Sequence, residues 1–209
     1  MSNFLAVDTS GNHLLALACK EGKTSSVFIP DCAMKHSVSV MPAVDEVLKK
    51  ADMTLGDCDF FVAVVGAGSF TGIRIGISVV KGFCLAYGKP ALPVTSFDVA
   101  AYNRINGKIL CLIDALHDCY YACGYEDGKV VFEPSYLMEA EVLSLESQGY
   151  RLCSVFDLPV AQKTSVERVD AARGLENAVK ALAEQNKFGE LTALYVRKSS
   201  AELNLEEKK

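Results

Sequence analysis

Asp8, Thr9 and Ser10 follow an apolar run, Phe4 to Val7, and put one carboxylate and two hydroxyls at the tip of a candidate strand. Such a group can hold a metal–nucleotide phosphate, or it can close a hairpin as an Asx or Ser turn. Asp114 ends a similar run, Ile109 to Ile113. The second chemical candidate is GAGSFTGIRIG, Gly66 to Gly76. Gly68, Gly72 and Gly76 recur every four residues and fall on one side of the helix that begins there. Each glycine inside a helix costs about 0.5–1 kcal/mol relative to alanine, so the bare stripe implies a close approach. Either a phosphate is cradled at the helix start or a second helix packs on the stripe.

Neighbouring residues narrow the chemistry. A P-loop needs Lys and Ser or Thr directly after its last glycine, whereas Ile73 and Arg74 follow Gly72. Ser69 sits between a strand and a helix, as a nucleophile elbow would, but the order Gly66-Ala67-Gly68-Ser69-Phe70 does not match G-x-S-x-G. Ser69 reads more simply as a helix N-cap, worth about 1 kcal/mol. The histidines are His13, His36 and His117, with no pair at metal-ligand spacing. His117 lies near Asp114 around a strand end. The eight cysteines contain no C-x-x-C pair and sit mostly in apolar runs, as buried thiols do. Cys119 and Cys123 would share a strand face roughly 13 Å apart.

Elements must position these residues. Strands are expected at 3–8, 13–19 and 24–29, separated by turns at Ser10-Gly11-Asn12 and Glu21-Gly22-Lys23. An amphipathic helix follows at about 37–51, with Val40, Met41, Ala43, Val44, Val47 and Leu48 on one arc. Strand 60–65, helix 71–87, strand 91–95 and a short helix from Ser96 complete the first half. Helix 71–87 is apolar over more than half its girth, with Arg74, Ser78 and Lys81 on its narrow polar stripe. It is therefore expected to be buried on two sides: one against its own sheet, the other against a neighbouring helix or a partner protein.

The second half starts the pattern again. Asp114 stands 106 positions after Asp8, and at that offset Ala16, Glu21, Gly22 and Lys23 meet Ala122, Asp127, Gly128 and Lys129. We read this as a structural duplication of a strand–turn–strand unit, hence two α/β lobes. Strands are expected near 129–133 and 152–156, and a helix at about 171–186 capped by Asp170.

Composition sets limits. The chain has 209 residues, half of them hydrophobic, and a net charge of −5. That balance opposes strong nucleic-acid binding by this chain alone, which needs clustered Lys and Arg. No run approaches the ~18 consecutive apolar residues of a membrane span, and the first ten residues carry no signal-peptide pattern. A cytoplasmic, membrane-free protein is expected.

The order Ala6-Val7-Asp8-Thr9-Ser10, His36-Ser37 to Met41-Pro42, Gly66 to Gly76, Val94-Thr95-Ser96, Ile113-Asp114-Ala115 and Leu194-Tyr195-Val196-Arg197 covers almost the whole chain. In that order the chain resembles the TsaB (YeaZ) family of bacterial tRNA threonylcarbamoyladenosine biosynthesis. The resemblance implies an actin-like, Hsp70-like (ribonuclease H-like) ATPase fold, α/β, with two duplicated lobes. The lobes would be residues 1–103 and a reduced 104–209 ending in a charged tail, 198–209. It also implies a non-catalytic subunit that supports the TsaD catalytic subunit, with the TsaE ATPase as a further partner. ATP is used by the complex, no cofactor or metal is assigned to this chain, and tRNA is met through the complex; a homodimer is the other pairing.

The implied partner surface comprises His36, Val40, Met41 and Val44 on the first helix. On the loop and second helix it comprises Gly68, Phe70, Thr71, Gly72, Arg74, Ile75, Gly76, Val79 and Phe83, with Arg74 as a rim contact to a partner carboxylate. Asp8, Thr9, Ser10 and Asp114 would be a vestigial nucleotide site. The chain departs from the family pattern at Ala67, where proline is usual, and at Leu116 and Cys119, where Arg and Glu are usual. The competing reading is a stand-alone nucleotide-dependent hydrolase or peptidase of the same superfamily.

Overall fold

Alternation along the first strands fixes the architecture. In β1 (Phe4–Asp8) and β2 (Leu14–Lys20), Phe4, Ala6, Leu15 and Leu17 face one core. Leu5, Val7, Leu14 and Ala16 face another. A strand buried on both faces must lie in the middle of a sheet covered on both sides. The computed structural model, which describes residues 2–103 and 106–197, has that arrangement. The expected tail at 198–209 lies outside the described residues.

The first sheet has the order β3-β2-β1-β4-β5, completed by β3 (Lys23–Ile29), β4 (Phe60–Val64) and β5 (Ala91–Val94). The first three strands are antiparallel, and β4 and β5 run parallel to β1. The second sheet repeats this as β10-β9-β6-β7-β8. Its strands are β6 (Lys108–Asp114), β7 (Cys119–Glu126), β8 (Lys129–Met138), β9 (Arg151–Ser154) and β10 (Val166–Arg168). Helices α1 (His36–Lys50), α2 (Phe70–Tyr87) and α3 (Ser96–Ala101) accompany the first sheet. Helices α4 (Glu139–Ser147) and α5 (Ala171–Glu184) accompany the second. Where α2 joins β4 to β5, the second lobe has only a 3-10 turn, Pro159–Gln162, between β9 and β10. The second lobe is thus the same unit with one helix reduced.

The expected duplication is visible down to the turns. Glu21 and Gly22 (φ 50° and 85°), and Asp127 and Gly128 (φ 48° and 77°), each form a two-residue left-handed hairpin turn. These turns suit the twist of the strands they join. α3 and α5 share one apolar core with inward-facing residues of both sheets. Gly174 of α5 permits their contact, since a Cβ there would stand 1.9 Å from the Val99 carbonyl oxygen. The outer face of the first sheet is covered by α1 and α2. The outer face of the second is covered by Val142 of α4 and by Val160.

By length and mean hydropathy α2 would also suit a membrane span. Its Ile73, Ile77, Val80 and Phe83 instead pack on the first sheet, as a core helix does. The sequence reading missed α4 and β10. α4 carries a single fully buried residue, Val142, too little for a helical stripe, and β10 has three residues.

Candidate functional site

Two places hold the candidate residues: the cleft between the lobes and the outer face of α1 and α2. The cleft, about 650 Å³, is lined by Asp8, Ser10 and His13 from the first lobe and by Asp114, Tyr121 and Phe156 from the second, among others. Asp8 and Asp114 end equivalent strands, β1 and β6, as expected from the duplication. Their surroundings differ. Asp8 is buried, while Asp114 is exposed and accepts the Leu116 amide rather than His117.

The Asp8 carboxylate is fully engaged. One oxygen accepts from the Ser10 amide at 2.8 Å and from the Ser10 hydroxyl at 2.7 Å. The other lies 3.1 Å from His13 Nε2. A carboxylate only accepts, which assigns the proton to Nε2. Burial pushes the Asp8 carboxyl up, but the His13 ring and the two Ser10 donors outweigh it and hold the group below its ordinary range. His13 is stacked on Phe28 at 5.4 Å and tilted against Phe156 of the other lobe at 4.8 Å. Sequence reading found His13 without its role. The signal was its place directly before β2, in the turn that leaves Asp8.

This geometry does not form a nucleophile relay. A triad needs the serine hydroxyl on the imidazole, whereas Ser10 donates to Asp8 itself. Among the described residues no Lys or Arg lines the cleft, and no group of three or more His, Cys, Asp or Glu is placed to hold a metal.

The glycine stripe corrects the expectation. A Cβ on Gly68 would stand 2.1 Å from the Ser10 carbonyl oxygen, and on Gly72 2.0 Å from that of Thr9. On Gly76 it would stand 2.6 Å from Thr9 Oγ1. The stripe is therefore filled from within the chain, with the His36 ring at the start of α1 3.5 Å from a Cβ on Gly72. It receives the chain's own Thr9–Ser10 turn. Ser69 N–H donates to the Ser10 carbonyl at 2.7 Å, Thr9 Oγ1 donates to the Gly72 carbonyl at 2.7 Å, and Ser69 caps the Gly72 amide as expected. Thr9 and Ser10 are thus committed to holding α2, and Gly68, Gly72 and Gly76 are covered from within.

The other expected surface residues divide the same way. His36, Val40, Val44 and Phe83 are buried, His36 through a 2.8 Å contact of Nε2 with the His13 carbonyl. Met41, Thr71 and Arg74 are exposed, and Phe70, Ile75 and Val79 are half-buried. Between α1 and α2 runs an open groove lined by Ser37, Val40, Met41, Thr71, Arg74, Ile75, Ser78 and Val79. Met34, just before α1, and Val38, in its first turn, are 95% and 70% exposed. The second apolar side of α2 therefore faces α1 only in part and opens to the surface.

The family described as "TsaD: tRNA N6-adenosine threonylcarbamoyltransferase" matches residues 24–202. The tRNA threonylcarbamoyladenosine biosynthesis protein TsaB of Bacillus subtilis is 34% identical over 125 residues, 58% of this chain and 54% of that protein. The protein of the same name from Escherichia coli is 30% identical over 123 residues, 56% of this chain and 53% of that protein. The chain spans about half the length of the curated relatives it matches. A Pseudomonas aeruginosa structure described as similar to peptidase YEAZ superposes with a TM-score of 0.79 at 21% identity, covering 94% of this chain and 100% of that one. That likeness concerns the fold, the two-lobed arrangement of duplicated sheets. With the match running through both lobes, the chain belongs to the TsaD family of tRNA N6-adenosine threonylcarbamoyltransferases, on its TsaB (YeaZ) branch.

Proposed function

We propose that this chain is a non-catalytic subunit in threonylcarbamoyl modification of tRNA, acting in the cytoplasm and docking on a TsaD-type catalytic subunit through the outer face of α1 and α2. The observation that carries the reading is the open groove between these helices, whose apolar lining is Val40, Met41, Ile75 and Val79, with Met34 and Val38 exposed at the start of α1. Contiguous exposed apolar surface of this kind marks a protein contact. The first lobe, residues 1–103, supplies the docking face; TsaE and tRNA join through the complex.

The cleft supports the same reading. Asp8 is held as a paired carboxylate, Ser10 is tied to it, and no Lys or Arg among the described residues lines the cleft to meet a phosphate. A serine hydrolase or peptidase acting in this cleft would need a hydroxyl donating to the His13 imidazole, whereas the Ser10 hydroxyl donates to Asp8. Calorimetric titration against the TsaD-type protein of the same organism tests the docking. Ile75→Asp puts a charge in the groove on a half-buried position, and the affinity should fall by tenfold or more, since an unpaired charge in an interface costs upwards of about 2 kcal/mol. Unchanged affinity of the folded variant would remove the groove from the interface.

A further inference from the structure

Arg74, on the groove side of α2, is held from a distant part of the chain. Its Nε–H donates to the Tyr195 hydroxyl at 2.8 Å, across 121 positions of sequence. The Tyr195 ring stacks on Phe70 at 4.4 Å between centroids and 13° between planes, and the guanidinium lies 5.5 Å from the Tyr195 ring and 5.9 Å from that of Phe70. Tyr195 belongs to a strap that leaves α5 and runs back over the first lobe. Gly189 N–H donates to the Ala91 carbonyl at 3.0 Å, and Leu194 N–H to that of Val65 at 2.7 Å. Leu191 is buried beneath it. Beyond Tyr195, Arg197 donates to the Tyr136 hydroxyl of β8 at 3.1 Å. The strap is anchored on both sides of Tyr195, which is itself 38% exposed.

We infer that Tyr195 is a positioning residue of the docking face: it pre-orients Arg74 for a carboxylate of the partner. The inference rests on the docking reading proposed above. The chemistry is that of the guanidinium fork. Its Nε–H is taken by Tyr195, while the two Nη groups have no ion-pair partner among the described residues and suit a bidentate carboxylate. A free surface arginine loses rotamer freedom when it binds. Here the aromatic stack and the hydrogen bond have already removed much of that freedom in the unbound chain. Arg and Tyr are also the side-chain types that dominate interface energetics.

The test is a double-mutant cycle in the full chain, read by calorimetric titration against the same TsaD-type protein. Tyr195→Phe keeps the stack on Phe70 and removes only the hydroxyl, so folding is preserved, and melting curves verify that. The affinity should fall about three- to tenfold. Arg74→Ala should fall by at least as much, and the double variant should bind no worse than Arg74→Ala alone, because Tyr195 acts through Arg74. Tyr195→Phe binding like wild type overturns the inference. Additive losses also overturn it, since Tyr195 would then touch the partner independently. Wild-type chain that does not bind the TsaD-type protein at all overturns the docking reading itself, a result distinct from either.

Discussion

The buried Asp8 carboxylate accepts the Ser10 amide, as in an Asx turn, and the Ser10 hydroxyl on one oxygen, and faces His13 with the other. Its place at a strand end was legible, because a carboxylate and two hydroxyls after an apolar run can be seen in the sequence. Its partner was not. His13 lies five positions on, but only the hairpin register brings its ring to Asp8. Because burial is outweighed by His13 and Ser10, the folded carboxyl titrates below its ordinary value of 3.8. The sign follows by linkage: a depressed carboxyl contributes stability that is complete above the unfolded pKa and is lost as pH falls through the folded one. Asp8→Asn should therefore lower stability at pH 7 by about 1–3 kcal/mol. The gap to wild type should close as the pH is brought down toward 3 and below. Urea unfolding at neutral and acid pH measures both, and a gap independent of pH would show that Asp8 is not an ionised, paired carboxylate.

At the scale of elements, α2 carries most of the argument. Its existence, its Ser69 cap and its two apolar sides follow from spacing. The stripe of glycines also follows, but what fills it does not, because Thr9 and Ser10 are far away in the sequence and nothing local marks them as the filler. The stripe is the site of tertiary contact within the chain, and the proposed docking face lies to its side, in the groove lined by Arg74, Ile75, Ser78 and Val79. Glycines of one helix should accordingly respond in opposite directions. Gly72→Ala places a methyl against the Thr9 carbonyl and should destabilise by about 1–3 kcal/mol, as overpacking does. Gly82→Ala meets no atom within 4 Å and should stabilise by about 0.5–1 kcal/mol through helix propensity. Denaturant melts of the two variants check this, and equal effects would mean that the stripe is not packed on Thr9. The Tyr195 strap, Leu194 to Arg197, stood out only by its family resemblance, with nothing local to mark its contacts. Leu194 to Arg197 form an irregular segment whose contacts on α2 and β8 join distant parts of the chain.

For the whole molecule, the duplication was the most legible feature, since the two hairpin turns keep their residue types at a fixed offset. The reduction of the second lobe was less so, because a missing helix leaves only a short 3-10 turn between β9 and β10. The shared core of α3 and α5 couples the lobes, while α1 and α2 lie outside it on the far face of the first sheet. A partner on that face would leave the cleft untouched. Amide hydrogen exchange of the chain, alone and with the TsaD-type protein, tests this most directly. Protection should rise in 36–50 and 70–87 and stay unchanged in the cleft segments 8–13 and 114–119. Protection gained at the cleft with none along α1 and α2 would contradict the account.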